Sequence, residues 1–580
     1  QACKKSSDPP SSPPPLQPLP HPTMQSPRGS GLPARPAVEA LSAGPAGGSP
    51  EGVRQSFDST VFVPERVNCE ISRRYRLDKR EIGRGGFGKV FVAEDREVAG
   101  RKVAVKKVMI HDDASKQAFQ KEVLIMKELD HPNICKILET YEQGCSMYII
   151  MEFCDGGEVF DRIVDEGMIA EHDTAAIVRQ VACALCYAHG KNIAHRDLKP
   201  ENLVFCSKDP ADSHVKVIDW GVSFYFGLSR MYSTVGSVAY IAPEVLEATG
   251  GGYDAACDVW SLGVVAYVML CGKAPFWGNV NAQMNKMKHE DYPMSSSTWQ
   301  AVSEEGRSFV RGLLRADPRA RLSIDEVVAH PWLGARASRT DPGTSLQVLG
   351  NLRQFSLSSR FFSLCAASVA RQLDHRSLRD VHRVFSEMDT NGDGVLELQE
   401  VRSGFEKIFG EGSEELRDLE RMFERLDLDG SGTIDYTEFC AAGIGERTST
   451  EVHALRAAFK AFDVEDGDGR ITKDEIKQVL LTADVNQVWS TETCEEMAGE
   501  ILERFDCDGD GSIDFDEWQR LVRECAGKRL EDKLGIERSP EEKEFLAKLE
   551  VTECMDRAYG FLTEADRRPK GAGAAHVGGA

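Results

Sequence analysis

Three glycines, a lysine, two aspartates and an asparagine set the first chemical problem. Residues Ile82 to Val90 read IGRGGFGKV, with Gly83, Gly85 and Gly88 in GxGxxG spacing. That spacing alone also fits a dinucleotide fingerprint, in which a strand runs into a helix. Here the flank, FVAEDREVAGRKVAVKKV, continues as two alternating apolar runs joined at Ala99-Gly100. The glycines therefore lie in a hairpin between strands, where they let backbone amides lie over phosphates. In Val103-Ala104-Val105-Lys106, Lys106 presents a compact ammonium to the α/β-phosphates. The helical run QAFQKEVLIMKEL carries Glu122, placed to hold Lys106, with Glu128 a second choice nearer its end. His195-Arg196-Asp197-Leu198-Lys199-Pro200-Glu201-Asn202 and then Asp219-Trp220-Gly221 complete the set. Phosphoryl transfer asks for positioned phosphates, magnesium to spread charge and an acceptor for the hydroxyl proton. Asp197 suits the last role, and Asn202 and Asp219 offer the oxygens that Mg²⁺ prefers.

In this order the residues resemble the eukaryotic protein kinase signature set, over roughly residues 76–332. The resemblance implies a two-lobed fold that uses ATP and Mg²⁺. It assigns Asp197, Lys106, Glu122 and Lys199 to catalysis, and Lys199 and Ser237 point to the serine/threonine type. It places the adenine among Ile82, Val90, Ala104 and Val204, with the hinge from Glu152 to Cys154 and Met151 gating a back pocket. Ala242-Pro243-Glu244 resembles the close of the activation segment, with Asp258 and Arg321 as scaffold anchors and Arg321 pairing with Glu244. Glu158 and Glu201 could read a basic residue upstream of the target, or be ordinary solvated carboxylates. The chain departs from the family at Trp220, where the pattern has Phe; a buried indole N–H needs a partner.

Four acidic loops after residue 385 set the second problem. An EF-hand needs oxygen ligands at positions 1, 3, 5 and 12, a glycine at 6 and an apolar residue at 8. The first loop offers Asp389, Asn391, Asp393, the Val395 carbonyl and Glu400. The second offers Asp427, Asp429, Ser431, the Thr433 carbonyl and Glu438, and the fourth Asp506, Asp508, Asp510, the Ser512 carbonyl and Glu517. The third is irregular: aligning Gly469, Ile471 and Glu475 puts Val464 at position 1 and Asp463 one residue early. Either the loop bulges so that Asp463 still reaches the ion, or a weakened Ca²⁺ site remains with Asp466, Asp468, the Arg470 carbonyl and Glu475; the second is the expectation. A solvated acidic turn explains one such loop but not four, and four hands pair into two lobes.

Composition divides the chain around these sites. It has 580 residues and a formal net charge of −23, which argues against a general nucleic-acid binder. Residues 1–50 hold 13 of the 25 prolines, so residues 1–75 are expected to be a disordered tail. PxxP spacings there could dock an aromatic groove, though a plain tail is the simpler reading. Cys183 and Cys186 form a lone CxxC in an apolar helical run, one face of a core helix, and cysteine usage fits a reducing compartment. No run of about 18 apolar residues exists, and Leu262 to Leu270 reads as a buried helix.

Residues 333–375 carry five Arg, two Asp and no Lys or Glu, whereas residues 376–530 carry 19 Lys/Arg against 38 Asp/Glu. A basic segment abutting an acidic domain suggests an intramolecular pair. Phe362, Ala366, Val369 and Leu373 mark one helical face, and Leu346, Leu349 and Leu352 another. Kinase, basic junction and four EF-hands in this order resemble the calcium-dependent protein kinases of plants and protists. The resemblance implies an α+β fold: a two-lobed kinase at 76–332, a junction at 333–375, an all-α EF-hand domain of two lobes at 376–530, and an extension at 531–580. It implies a calcium-activated serine/threonine kinase acting on protein substrates. A calcium sensor or scaffold with an impaired kinase fold is the alternative, although no catalytic position is lost. The chain is expected to be a cytoplasmic monomer that reaches membranes only if acylated beside Cys3.

Overall fold

The computed structural model describes residues 63–527, apart from 86–87, 99, 211, 227–230, 232–237, 248–251, 335–339, 357–359, 446–451, 464–467, 483–494, 496–497, 500 and 504. The small lobe is built on six strands: β1 (Glu65–Val67), β2 (Tyr75–Gly85), β3 (Gly88–Asp95), β4 (Lys102–Met109), β5 (Ile137–Gln143) and β6 (Ser146–Glu152). Their order is β1-β5-β6-β4-β3-β2, antiparallel except that β1 lies parallel to β5. Residues 63–75, expected within a disordered tail, thus contribute an edge strand and the short helix α1 (Ile71–Arg74) to this lobe. Arg66 and Arg74 tie that addition down through ion pairs to buried Glu139 at 3.2 and 3.0 Å. Residues 1–62 and 528–580 lie outside the described residues.

Alternation on β4 positions the site. Val103 and Val105 are fully buried in one apolar cluster with Tyr75, Leu138 and Ile150, so Ala104 and Lys106 face the other side of the sheet. Helix α2 (Asp113–Glu128) starts at a capping box between Asp112 and Ser115. Its buried positions Phe119, Glu122, Val123 and Met126 share one face, which delivers a carboxylate beneath β4.

The large lobe follows with α3 (Val159–Glu166), α4 (Glu171–Gly190), the short strands β7 (Ile193–Ala194), β8 (Leu203–Phe205), β9 (Val215–Val217) and β10 (Phe224–Tyr225), and α5 (Pro243–Glu247). Next come α6 (Ala256–Cys271), α7 (Val280–Lys288), α8 (Ser297–Ala301), α9 (Glu304–Leu313) and α10 (Ile324–Val328). Helix α6 is apolar around most of its circumference and buried from Cys257 to Leu270, as a central core helix must be. Cys183 and Cys186 sit on α4, Cys186 buried and Cys183 partly so.

A separate apolar core unites the junction with the acidic region. It is formed by α11 (Pro342–Phe355), α12 (Arg360–Gln372), α13 (His375–Met388), α14 (Leu398–Phe409), α15 (Leu419–Leu426), α16 (Tyr436–Gly443), α17 (Val452–Phe462), α18 (Lys473–Thr482) and α19 (Phe515–Gly527). The junction is therefore two core helices. Ala366, Val369, Leu373, Leu349 and Leu352 are buried as their spacing requires, whereas Leu346 is exposed; the side chain of Phe362 lies outside the described residues.

Candidate functional site

Lys106, almost fully buried, donates to Glu122 at 2.5 Å and to Asp219 at 2.9 Å. Burial alone would favour the neutral amine, but the two carboxylates outweigh it and hold the ammonium. Asp219 is held below the usual carboxylate range, because the Lys106 charge outweighs its own burial. The pair chosen from sequence is therefore formed, and Glu122 rather than Glu128 makes it.

Asp197 accepts from Lys199 Nζ at 2.6 Å, and Asn202 Nδ2 donates to the Asp197 carbonyl at 2.8 Å. That leaves Asn202 Oδ1 as an oxygen donor near Asp219, because the Ile218 amide donates to the Asn202 carbonyl at 2.9 Å. Arg196 and Asp219 both adopt positive φ, 70° and 61°, a costly backbone that must be held from outside. Asp258 does the holding: fully buried, it accepts from the amides of His195 and Arg196, both at 2.8 Å, and from His189 Nε2 at 2.9 Å. Arg321 binds Glu244 in a bidentate pair at 2.8 and 3.1 Å.

The β2–β3 hairpin closes at the Gly85–Gly88 pair. A Cβ on Gly88 would lie 2.4 Å from the Lys107 carbonyl oxygen, so backbone crowding against β4 itself requires glycine there. Val92 pairs with Ala104 and Val90 with Lys106, which sets Val90 and Ala104 on the roof of the cleft with Ile82 exposed at its edge. Val204 bridges to Glu158 on the floor. At the hinge, the Glu152 side chain turns to Lys216 Nζ at 2.7 Å and to the Lys136 amide at 2.7 Å, and its own amide donates to the Lys136 carbonyl at 3.1 Å. Trp220 is buried edge-on to His195, with ring centroids 4.7 Å apart, and its indole N–H has no hydrogen-bond partner among the described residues; leaving such a donor unpaired costs about 1–3 kcal/mol.

The calcium loops share one internal geometry. The position-6 amide donates to the position-1 aspartate: Gly394 to Asp389 at 3.1 Å, Gly432 to Asp427 at 2.9 Å and Gly511 to Asp506 at 2.8 Å. The closing glutamates Glu400, Glu438 and Glu517 accept from residues at the loop start at 2.6–2.8 Å. Position-8 residues join the loops in pairs, Leu396 with Ile434 and Ile471 with Ile513. The carboxylate oxygens of Asp427, Asp429 and Glu438 lie within 4.8 Å of one another, as do those of Asp506, Asp508 and Glu517. Burial and neighbouring carboxylates push Asp389 up to about 7 and Asp427 to about 6. Such all-oxygen, mutually repelling sets fit Ca²⁺. Asn391 donates to Asp393 at 2.8 Å, and Ser431 to the Thr433 carbonyl at 3.1 Å.

The third loop departs from the expectation. Asp463 is buried and accepts from the Gly469 amide at 3.1 Å, the bond that position 1 makes in the other loops. Asp463 therefore takes the place of the first carboxylate, one residue earlier than the strict twelve-residue register allows. Glu475 is buried at the loop's end, and Asp468 accepts from the Arg470 amide at 2.8 Å. Asp466 lies outside the described residues. The Arg470 side chain reaches across to Asp510 and Ser512 of the fourth loop.

Sequence comparison decides the family. The protein kinase domain model matches residues 76–333, and the EF-hand domain pair model matches 378–442 and 453–532. Calcium-dependent protein kinase 5 of Plasmodium falciparum is 34% identical over 474 residues, covering 80% of this chain and 81% of its own. The chain belongs to the calcium-dependent protein kinases. Calcium-dependent protein kinase 19 of Arabidopsis thaliana is 32% identical, covering 82% of this chain and 85% of its own, and calcium-dependent protein kinase 2 of Zea mays 31%, covering 82% and 92%. This calcium-dependent protein kinase is thus a Ca²⁺-activated serine/threonine kinase that uses ATP and Mg²⁺ on protein substrates, with Ca²⁺-binding EF-hands in an intramolecular regulatory role. Nothing supports an impaired scaffold.

Sequence reasoning did not find where the EF-hand region meets the kinase domain. Lys136 Nζ donates to the Leu373 carbonyl at 2.9 Å, Thr437 N to Asp130 at 2.8 Å, and Arg101 to Gln372 at 2.8 Å. Arg66 donates to the Lys460 carbonyl at 3.0 Å, and Lys460 pairs with Glu97. Arg371 is fully buried 3.9 Å from Asp130, and its guanidinium donates no hydrogen bond among the described residues. A buried, otherwise apolar face around Arg371 and Lys136 was the only signal in the sequence, and without a register it points nowhere.

Proposed function

We propose that Ca²⁺ binding relieves autoinhibition by fixing the junction inside the EF-hand region, away from the catalytic cleft. The carrying observation is the burial of α12 against α16 and α17 together with its bonds to segment 130–136 of the kinase domain. Without Ca²⁺ the same basic segment would occupy the substrate groove or distort the lobes. Moving from almost all off to almost all on needs a calcium preference of ~5.5 kcal/mol, which several linked loops can supply.

In the cleft, Asp197 accepts the hydroxyl proton of the incoming Ser/Thr and Lys199 steadies it. Lys106 holds the nucleotide phosphates, and Glu122 positions Lys106. Asn202 and Asp219 hold Mg²⁺ through oxygen; when bound, the ion spreads the charge of the transferring phosphoryl group. A phosphate-transfer assay on the full chain, with and without a calcium chelator, tests the reading. We expect transfer that collapses on chelation, and none in Asp197→Ala; transfer indifferent to calcium overturns the control scheme.

Glu158 and Glu201 form the subsite for a basic residue upstream of the target. Burial and the Asp161 and Glu201 charges push Glu158 up to about 7. It is charged above that pH and neutral below it, so KM for an arginine-containing peptide should rise as pH falls from 8 to 6. In Glu158→Gln that rise should vanish; an unchanged profile would remove Glu158 from the subsite. The protein acts as a cytoplasmic monomer, and a peripheral membrane site depends on acylation near Cys3; intact mass of native protein tests that.

A further inference from the structure

Behind the hinge, where the EF-hand region meets the large lobe, three metal-type donors converge outside every site described above. One ligand atom each from Cys206, His214 and His375 lies within 4.8 Å of the others, and all three residues are buried. Cys206 and His214 are fixed side by side: the Cys206 amide donates to the His214 carbonyl at 2.9 Å, next to the β8–β9 ladder. His375 comes from the other region, in the first turn of α13 just after its cap, Asp374.

We propose that Cys206, His214 and His375 form a transition-metal site, of zinc type, that joins the kinase domain to the EF-hand region.

Tautomers support it. His214 Nε2 faces the Pro132 carbonyl at 3.0 Å, and His375 Nε2 faces Asp212 Oδ2 at 3.2 Å. Each Nε2 must carry the proton, which leaves Nδ1 of each ring as the free lone pair. An imidazole whose second nitrogen donates to a carbonyl or carboxylate is the usual support of a metal ligand. A further observation lies beside it: His382 is buried, edge-on to His214 at 4.3 Å between centroids, and its Nδ1 has no hydrogen-bond partner among the described residues.

Two features oppose binding and set its chemistry. Cys206 is buried, and a thiol binds a metal only as thiolate, so coordination must displace its proton to water. Lys216 lies nearby, but its charge is paired with Glu152 at 2.7 Å. His214 and His375 are stacked at 4.0 Å and nearly parallel; an imidazole donates in its ring plane, so one ring must turn well out of the stack before both can reach a tetrahedral ion with Zn–N of about 2.0 Å and Zn–S of about 2.3 Å. A mixed sulfur and imidazole set is soft, unlike the oxygen loops, and selects zinc over calcium.

The test uses the full chain with its EF-hands saturated by calcium, titrated with Co²⁺ and then Zn²⁺. We expect one equivalent of Co²⁺ to give thiolate-to-cobalt charge-transfer absorption that Zn²⁺ abolishes by displacement. Cys206→Ser should remove the absorption, and His375→Asn should weaken binding at least tenfold, with calcium stoichiometry unchanged in both. No absorption in the wild type, or absorption that survives Cys206→Ser, overturns the site. X-ray absorption of the zinc-loaded wild type needs no variant: one sulfur with nitrogen neighbours supports the proposal, and an all-oxygen shell overturns it by placing the metal in the calcium loops.

Discussion

The first and fourth calcium loops share Asp at positions 1 and 5, Gly at 4 and 6 and Glu at 12, and differ in what surrounds them. Asp389 is buried, and its loop lies against α4 and α10: a Cβ on Gly392 would meet Val328 at 2.6 Å and Cys183 at 3.0 Å. Around Gly509 and Gly511 of the fourth loop a Cβ would meet nothing within 4 Å. The same ligand pattern therefore does two jobs. The first loop is wedged against the kinase domain, so any change in its shape is transmitted there through packed side chains. The fourth is coupled to the third through β11 (Arg470–Thr472) and β12 (Ser512–Asp514), and meets solvent. The number of carboxylates in a loop does not say which loop the catalytic half can feel.

The contrast can be broken or sharpened by substitution. The largest effect is expected at Asp130, which belongs to the kinase domain but accepts from Thr437 in the first turn of α16 and faces buried Arg371. Asp130→Ala leaves that guanidinium buried without a counter-charge, at a cost of about 3–5 kcal/mol. Hydrogen exchange across 436–443 should rise accordingly, and unchanged exchange would mean that the two halves do not depend on this contact.

Next in size is a matched pair of glycine substitutions. Gly394 and Gly511 have nearly equal φ, +80° and +88°, so Ala at either place carries a similar backbone strain of about 1–2 kcal/mol. Only Gly394→Ala also drives a methyl into His131, 2.5 Å away, and Tyr187, 3.0 Å away. Overpacking adds about 1–3 kcal/mol, so Gly394→Ala should lower Tm more and cut calcium-stimulated activity, whereas Gly511→Ala should weaken mainly its own site. Equal effects in both assays would erase the distinction. The smallest effect concerns the third loop: Asp463→Ala should reduce calcium affinity at that site about tenfold, a loss of about 1.4 kcal/mol. Calorimetry in which Asp463→Ala matches the wild type would restore the reading of a site that lacks its first ligand.

The catalytic half was legible because phosphoryl transfer uses few residue types at fixed spacing. Lys106, Glu122, Asp197, Asn202 and Asp219 are each named by a short motif, and the structure brings Lys106, Glu122 and Asp219 together within direct ion-pair reach. Glu152 was legible only as a hinge position; that its side chain turns back to Lys216 depends on a strand far along the chain. Asp463 was legible as one of two readings, and the reading without it was preferred because a fixed count of twelve has no place for an inserted residue; its bond to the Gly469 amide favours the other. Residues 63–75 were assigned to the tail by extending the proline-rich character of residues 1–50 up to the start of the first strand run. Their stability comes from Glu139, which no local pattern reveals.

Sequence by itself determined the chemistry and its order: a magnesium–nucleotide cleft, a basic amphipathic junction and four oxygen-lined loops. Those features live in spacing along one strand, helix or turn, where a few residues fix the geometry. Tertiary structure alone decided that the junction becomes core, that the first loop is wedged on the kinase domain, and that Cys206 and His375, 169 positions apart, share one buried corner. Such contacts depend on which apolar faces find each other on folding, and burial is not directional enough to be written in any single stretch of the chain.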